Sequence, residues 1–267
     1  MKILFLGDVV GRSGRDAIVK YLPILRREMA LDAVIVNGDN AAGGFGITPQ
    51  IAKDFFVCGA DVITGGDHIW DQQKDIVPYL AQEKRLLRPE NFPVKTVGSG
   101  NFLLTLADGR RLLVLHLLGQ VFHKEHTRCP FLTADEILEK YRLAPNMAIL
   151  VDFHAEATSE KTAMGKYLDG RVSVVVGTHT HIPTADARIL PKGTAYQTDT
   201  GMCGDYDSVI GFNANAPLER FLNKISKPKL EAAMGVATLC GLYVEIDDKT
   251  GLANNCQIIM HPKALNN

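Results

Sequence analysis

The 267-residue chain contains no stretch near the roughly eighteen consecutive apolar residues that a membrane-spanning helix needs. Its first apolar run, Ile3 to Leu6, is short and followed at once by Asp8, unlike a secretory signal. Charge of either sign is not in excess: the formal net charge is −1, so no long-range field draws the chain to nucleic acid or a membrane surface. The five cysteines, Cys58, Cys129, Cys203, Cys240 and Cys256, are odd in number and scattered, with no C-x-x-C pair. This excludes a zinc knuckle or a thioredoxin-like motif and predicts a reducing, cytoplasmic setting. The glycines of Gly7-Asp8-Val9-Val10-Gly11-Arg12-Ser13-Gly14 do not fit G-x-G-x-x-G, which argues against a dinucleotide-binding turn. A nucleotide-triphosphate loop signature and a Ser-His-Asp arrangement are absent too. Repeats, low-complexity tracts and linkers are likewise missing, so residues 1–267 are expected to form one domain.

What is present is a core-building composition, 46% hydrophobic and 22% charged. Residues 3–6, Ala33–Asn37 and residues 61–64 are nearly continuous apolar runs that read as strands. They alternate with helical stretches at Gly11–Glu28, 48–58 and 71–82. Strands of this kind interleaved with helices predict a parallel sheet covered on both faces, an α/β fold. Residues 102–106 and Arg111–Leu118 flank Ala107-Asp108-Gly109-Arg110, a hairpin signal. Thr133 followed by Glu136 reads as a capping box opening a helix. Residues 148–152, 172–176 and 193–198 read as further strands, the last grouped with 235–246 and 255–260 as antiparallel. A short helix is expected at 218–224.

Polar residues with metal-binding chemistry recur just beyond the strands. Five clusters stand out: Gly7-Asp8, Gly38-Asp39-Asn40, Gly66-Asp67-His68, Asp152-Phe153-His154 and His179-Thr180-His181. A single aspartate after a strand is commonly a turn former; five such clusters are hard to explain as turns. Ligands in open α/β sheets bind outside the carboxyl ends of the strands. Carboxylates mixed with imidazoles suit borderline divalent metals such as Mn²⁺, Fe²⁺ or Zn²⁺, and there are enough for two ions. His179 and His181, two apart after an apolar strand, are expected to aim at one cluster by strand alternation. His116 reads as a core or supporting histidine, and His123 and His126 as residues of the pocket rim.

In order along the chain, these blocks resemble those of the calcineurin-like metallophosphoesterases. Residues 37–46, 67–71, 152–161, 177–181 and 198–204 more narrowly resemble the bacterial YmdB family of cyclic-nucleotide phosphodiesterases. The resemblance implies a four-layer α/β/β/α sandwich with a di-iron or di-manganese centre. It implies that Asp8, Asp39, Asn40 and His181 hold one ion, that Asp39 bridges, and that Asp67, His154 and His179 complete the second site. His68 would act as general acid while a hydroxide bridging the ions attacks a 2′,3′- or 3′,5′-cyclic nucleotide or a related RNA-derived diester. Two positions depart from the family pattern: Asp39 stands where Glu is usual, and Asp67 where Asn is usual, which adds a negative charge beside the ions. Two alternatives stay open: a phosphomonoesterase or nuclease on the same centre, and a low-turnover regulatory protein that binds metal and nucleotide. Homo-oligomer contacts around Trp70 or Ile210-Gly211-Phe212 compete with simple local packing of the same residues.

Overall fold

Apolar runs whose alternate side chains all need burial dictate the layering. The computed structural model describes residues 1–262. Its strands and helices follow in the order β1 (Lys2–Leu6), β2 (Asp8–Val9), α1 (Gly11–Glu28), β3 (Ala33–Asn37), α2 (Pro49–Val57), β4 (Val62–Thr64), a 3-10 turn (Asp67–Trp70), α3 (Gln73–Gln82) and β5 (Leu86–Leu87). The hairpin β6 (Asn101–Thr105) and β7 (Arg111–Leu118) comes next, then α4 (Pro130–Leu138), β8 (Met147–His154), α5 (Thr158–Leu168) and β9 (Val174–Thr178). β10 (Arg188–Ile189), β11 (Ala195–Gln197), β12 (Met202–Asp205), α6 (Asn215–Leu222), β13 (Ala237–Ile246) and β14 (Ala253–His261) close the chain.

One sheet runs β1-β3-β4-β5 in parallel, with β13 antiparallel to β1 and β14 antiparallel to β13. β12 pairs with the first residues of β13, and β2 pairs with β12. The other sheet is ordered β10-β11-β9-β8-β7-β6. Alternation along each strand then divides the core into three. Leu4, Leu6, Val34 and Val36 face α1 to α3; Ile3, Phe5, Ala33 and Ile35 face the second sheet. From the second sheet, Val114, Leu150 and Val174 return that contact, while Leu115, Ile149 and Val175 pack under α4 and α5. The result is the α/β/β/α sandwich implied by the resemblance. Strands β1, β3, β4, β8 and β9 all end at one rim, so both sheets deliver polar residues to the same place.

Three expectations fail. Thr133 does not cap α4: the helix begins at Pro130 with Cys129 before it. Proline at the first helical position is pre-set for helix and moves the start three residues upstream. The strand at 195–197 does not join β13 and β14. It lies parallel to β9 in the other sheet, because the intervening Pro183 to Thr194 segment carries the chain back to the end where β9 began. α6 also starts earlier than 218, since Pro217 fits in a first turn that needs no donor.

Of the apolar segments considered for oligomer contacts, Trp70 and Phe212 have packing partners within the chain, while Ile210 is exposed. Trp70 stacks edge-on against Phe92, and the buried Phe212 ring lies 5.5 Å from Phe45. No helix among the described residues is long and apolar enough to cross a membrane.

Candidate metal centre

Asp8, Asp39, Asn40, Asp67, His68, His154, His179 and His181 converge at the shared rim. Asp8, Asp39, Asn40, His154 and His181 are buried; Asp67 is partly buried, and His68 and His179 open to a cleft of about 340 Å³. The cleft is lined further by Phe45, Glu156, Thr180, Phe212 and Leu230. Glycine makes the convergence possible at one point in particular: a Cβ on Gly66 would stand 2.5 Å from the Asp39 carboxyl carbon and 2.6 Å from the His154 ring.

Hydrogen bonds behind the rings decide which nitrogen faces the centre. His181 Nδ1 lies 2.7 Å from the Ile210 carbonyl, which can only accept, so Nδ1 carries the proton and Nε2 is bare. That bare nitrogen faces Asn40 Oδ1 at 3.1 Å, and the Asn40 amide is oriented by its donation to the Gly44 carbonyl. Thr178 spends its hydroxyl proton on Asp152, so it accepts from His154 Nδ1 at 2.9 Å. His154 Nε2 is therefore bare as well, 3.0 Å from Asp67 Oδ1 and 3.4 Å from Asp39 Oδ2. Asp8 Oδ1 and Asp39 Oδ2 are buried with no hydrogen-bond partner. Lone pairs aimed at lone pairs repel unless a cation lies between them. The donor set thus fits metal ions, with mixed O and N ligands.

Supporting contacts continue outward. His116 is fully buried against the Asp152 carboxylate at 3.2 Å, as a core histidine supporting the site. Glu156 Oε2 holds His179 Nε2 at 3.1 Å, leaving Nδ1 towards His154 and Asp67. His68 is different: its Nδ1 is tied to Asp71 at 2.7 Å, and its Nε2 stands 4.0 Å from Asp67 Oδ2. Asp71 and Glu156 were not singled out by the sequence reading, although each lies within three residues of a histidine that was.

Strand alternation is not what aims His179 and His181. β9 ends at Thr178, and both histidines take left-handed backbone angles, φ 99° and 66°. Non-glycine residues adopt these at a cost, so neighbours must hold them. The His179 N–H donates to Asp8 Oδ2, and Thr180 donates both its N–H and its hydroxyl to Asp199. The loop sends His179 towards His154 and His181 towards Asn40, one to each end of the centre.

Burial, reinforced by Asp199, pushes the Asp8 carboxyl up to about 8. Burial and the neighbouring Asp67 and Asp8 carboxylates likewise raise Asp39. Burial lowers His154 to about 3 and also lowers His181, so both stay neutral. Burial acts to lower His179, but the bond to Asp67 together with the charges of Asp67, Asp8 and Glu156 raises it. In the metal-free protein, Asp8 and Asp39 bind more protons folded than unfolded, so stability falls as pH rises above their unfolded values. The neutral histidines act the opposite way, but only below about pH 6.5. Chelator-treated protein should therefore lose melting temperature between about pH 6.5 and 8.5, and Mn²⁺ should restore more of it at the upper end. A flat chelated profile in a differential scanning series would contradict this.

Residues 4–259 match the pattern of the YmdB-like protein family. A Bacillus subtilis (strain 168) protein named 2′,3′-cyclic-nucleotide 2′-phosphodiesterase is 45% identical over 261 residues, covering 97% of each chain. A crystal structure of a protein from Thermus thermophilus superposes with a TM-score of 0.89 at 39% identity, over 97% of this chain and 98% of that one. A Mycoplasma pneumoniae structure described as a novel phosphatase gives 0.90 at 35% identity, over 97% and 92%.

Proposed function

This chain belongs to the YmdB-like protein family, and from that premise and the geometry of its rim we propose that it is a metal-dependent phosphoric diester hydrolase acting on cyclic nucleotides. Asp8, Asp39, Asn40 and His181 would hold one ion, and Asp67, His154 and His179 a second, with Asp39 shared. The observation that carries the reading is the set of buried acceptors aimed at one another, above all His181 Nε2 against Asn40 Oδ1. Such ions, when bound, clamp phosphate oxygens and make a nucleophile available at neutral pH. The mixed carboxylate and imidazole set suits iron or manganese.

The chain's own residues supply position and a proton. His68 keeps its Nδ1 proton on Asp71, and with Nε2 protonated as well it gives the Nε2 proton to the departing ribose oxygen, Asp71 holding the ring in place. Phe45 and Phe212 wall the cleft with apolar surface and limit water at the scissile bond. The name of the Bacillus subtilis relative favours the 2′,3′-cyclic ring over the 3′,5′ ring as substrate. RNA fragments ending in that ring share its chemistry. The five cysteines are all free, consistent with a reducing cytoplasm.

Elemental analysis of purified protein, paired with hydrolysis of bis-p-nitrophenyl phosphate with and without Mn²⁺, tests the reading. About two ions per chain, with turnover lost in His179→Ala, is the expected result. Metal-replete protein that turns over no diester would favour the binding-protein alternative. Faster hydrolysis of the monoester than of the diester would favour a phosphomonoesterase.

A further inference from the structure

The strap formed by residues 119–128 crosses the rim beside the metal centre and is fixed at both ends. Asn91 clamps its base, donating to the Leu118 and Arg128 carbonyls, and Glu160 accepts from the backbone N–H groups of Gln120 and Val121. From this strap His123 packs inward with only 3% of its side chain exposed, its ring centroid 4.8 Å from that of His179. His123 Nδ1 faces Glu125 Oε2 at 3.7 Å, and its Nε2 is buried without a hydrogen-bond partner. A ring nitrogen of His123, a Glu125 oxygen and an Asp67 oxygen all lie within 4.8 Å of one another.

A buried imidazole with an unused nitrogen needs a partner. Two carboxylates flank this one, and they repel a phosphate but attract a cation. Asp67 has two oxygens with two lone pairs each; Oδ1 faces His154 and His179, and Oδ2 stands 4.0 Å from His68 Nε2. We propose that Asp67, His123 and Glu125 form an accessory site for a further divalent transition-metal ion, adjoining the paired site that the proposed function assigns and sharing Asp67 with it. One imidazole and two carboxylates suit Mn²⁺ or Zn²⁺, with water completing the shell on the cleft side. An ion there adds positive charge at the cleft mouth, where an anionic substrate enters.

The test is a calorimetric Mn²⁺ titration of full-length, metal-stripped protein, with elemental analysis after gel filtration. Two tight steps and a third, weaker one are expected, and His123→Ala and Glu125→Gln should each remove only the third. Glu125→Gln keeps the strap's shape, so its result stands even if the alanine variant folds poorly. Two steps in the parent protein, or a third step unchanged in both variants, overturns the accessory site. Loss of the tight steps with a His123-sensitive step retained would count against the paired centre while supporting this one.

Discussion

Replacing His68 with alanine is expected to slow hydrolysis of a cyclic nucleotide by about 10²–10⁴-fold. The same variant should hydrolyse bis-p-nitrophenyl phosphate within about tenfold of the parent rate, because nitrophenolate leaves without a proton. The split follows from geometry. His68 has Nδ1 on Asp71 and Nε2 4.0 Å from Asp67 Oδ2, whereas His154 Nε2 stands 3.0 Å from Asp67 and His181 Nε2 3.1 Å from Asn40. Its backbone N–H donates to Asp39 Oδ1 at 3.1 Å, and that contact survives the substitution. Metal content should therefore stay at the parent level, which isolates the side chain's proton from the ligand's position. Equal loss on both substrates would instead assign His68 to orienting Asp39 or Asp67.

Much of this site was legible because strand ends are where polar residues interrupt apolar runs. Asp8, Asp39, Asp67, His154 and His179 each follow such a run, and parallel strands in adjacent sheets bring those ends to one rim. The four-layer fold, by contrast, came from the resemblance of the ordered blocks to a known family; the apolar runs by themselves predict only a parallel sheet covered on both faces. What sequence could not show depends on three-dimensional neighbours. The direction of the strand at 195–197 is set by where the preceding loop returns, not by its own Ala-Tyr-Gln. The aim of His179 and His181 comes from left-handed backbone held by Asp8 and Asp199, so the alternation argument reached the right cluster by the wrong geometry. His123 read as a rim residue because nothing local marks a histidine on a polar loop as buried. Its burial is created by Asn91 and Glu160, far away in sequence.

Lys161 is the clearest case of meaning hidden until the chain folds. In sequence it is an ordinary helix lysine; in α5 it is 1% exposed, with Nζ 2.7 Å from the equally buried Asp199 Oδ2. Lys161→Met is expected to destabilise the protein by about 3–5 kcal/mol, because it leaves a buried carboxylate without its cation. For a chain of this size that is a fall of about 6–20 °C in melting temperature. The N–H groups of Thr180 and Gly201 and the Thr180 hydroxyl still bond Asp199, and they offset only part of the lost charge. Pairing the change with Asp199→Asn removes the uncompensated charge and should recover part of the loss, in a double-mutant cycle read by chemical denaturation. A single-variant cost below about 1 kcal/mol would show that the pair contributes no more than a surface contact. The consequence reaches the centre through Thr180. Asp199 holds the residue between the two strained histidines, so variants that still fold should bind Mn²⁺ more weakly even though Lys161 contributes no ligand.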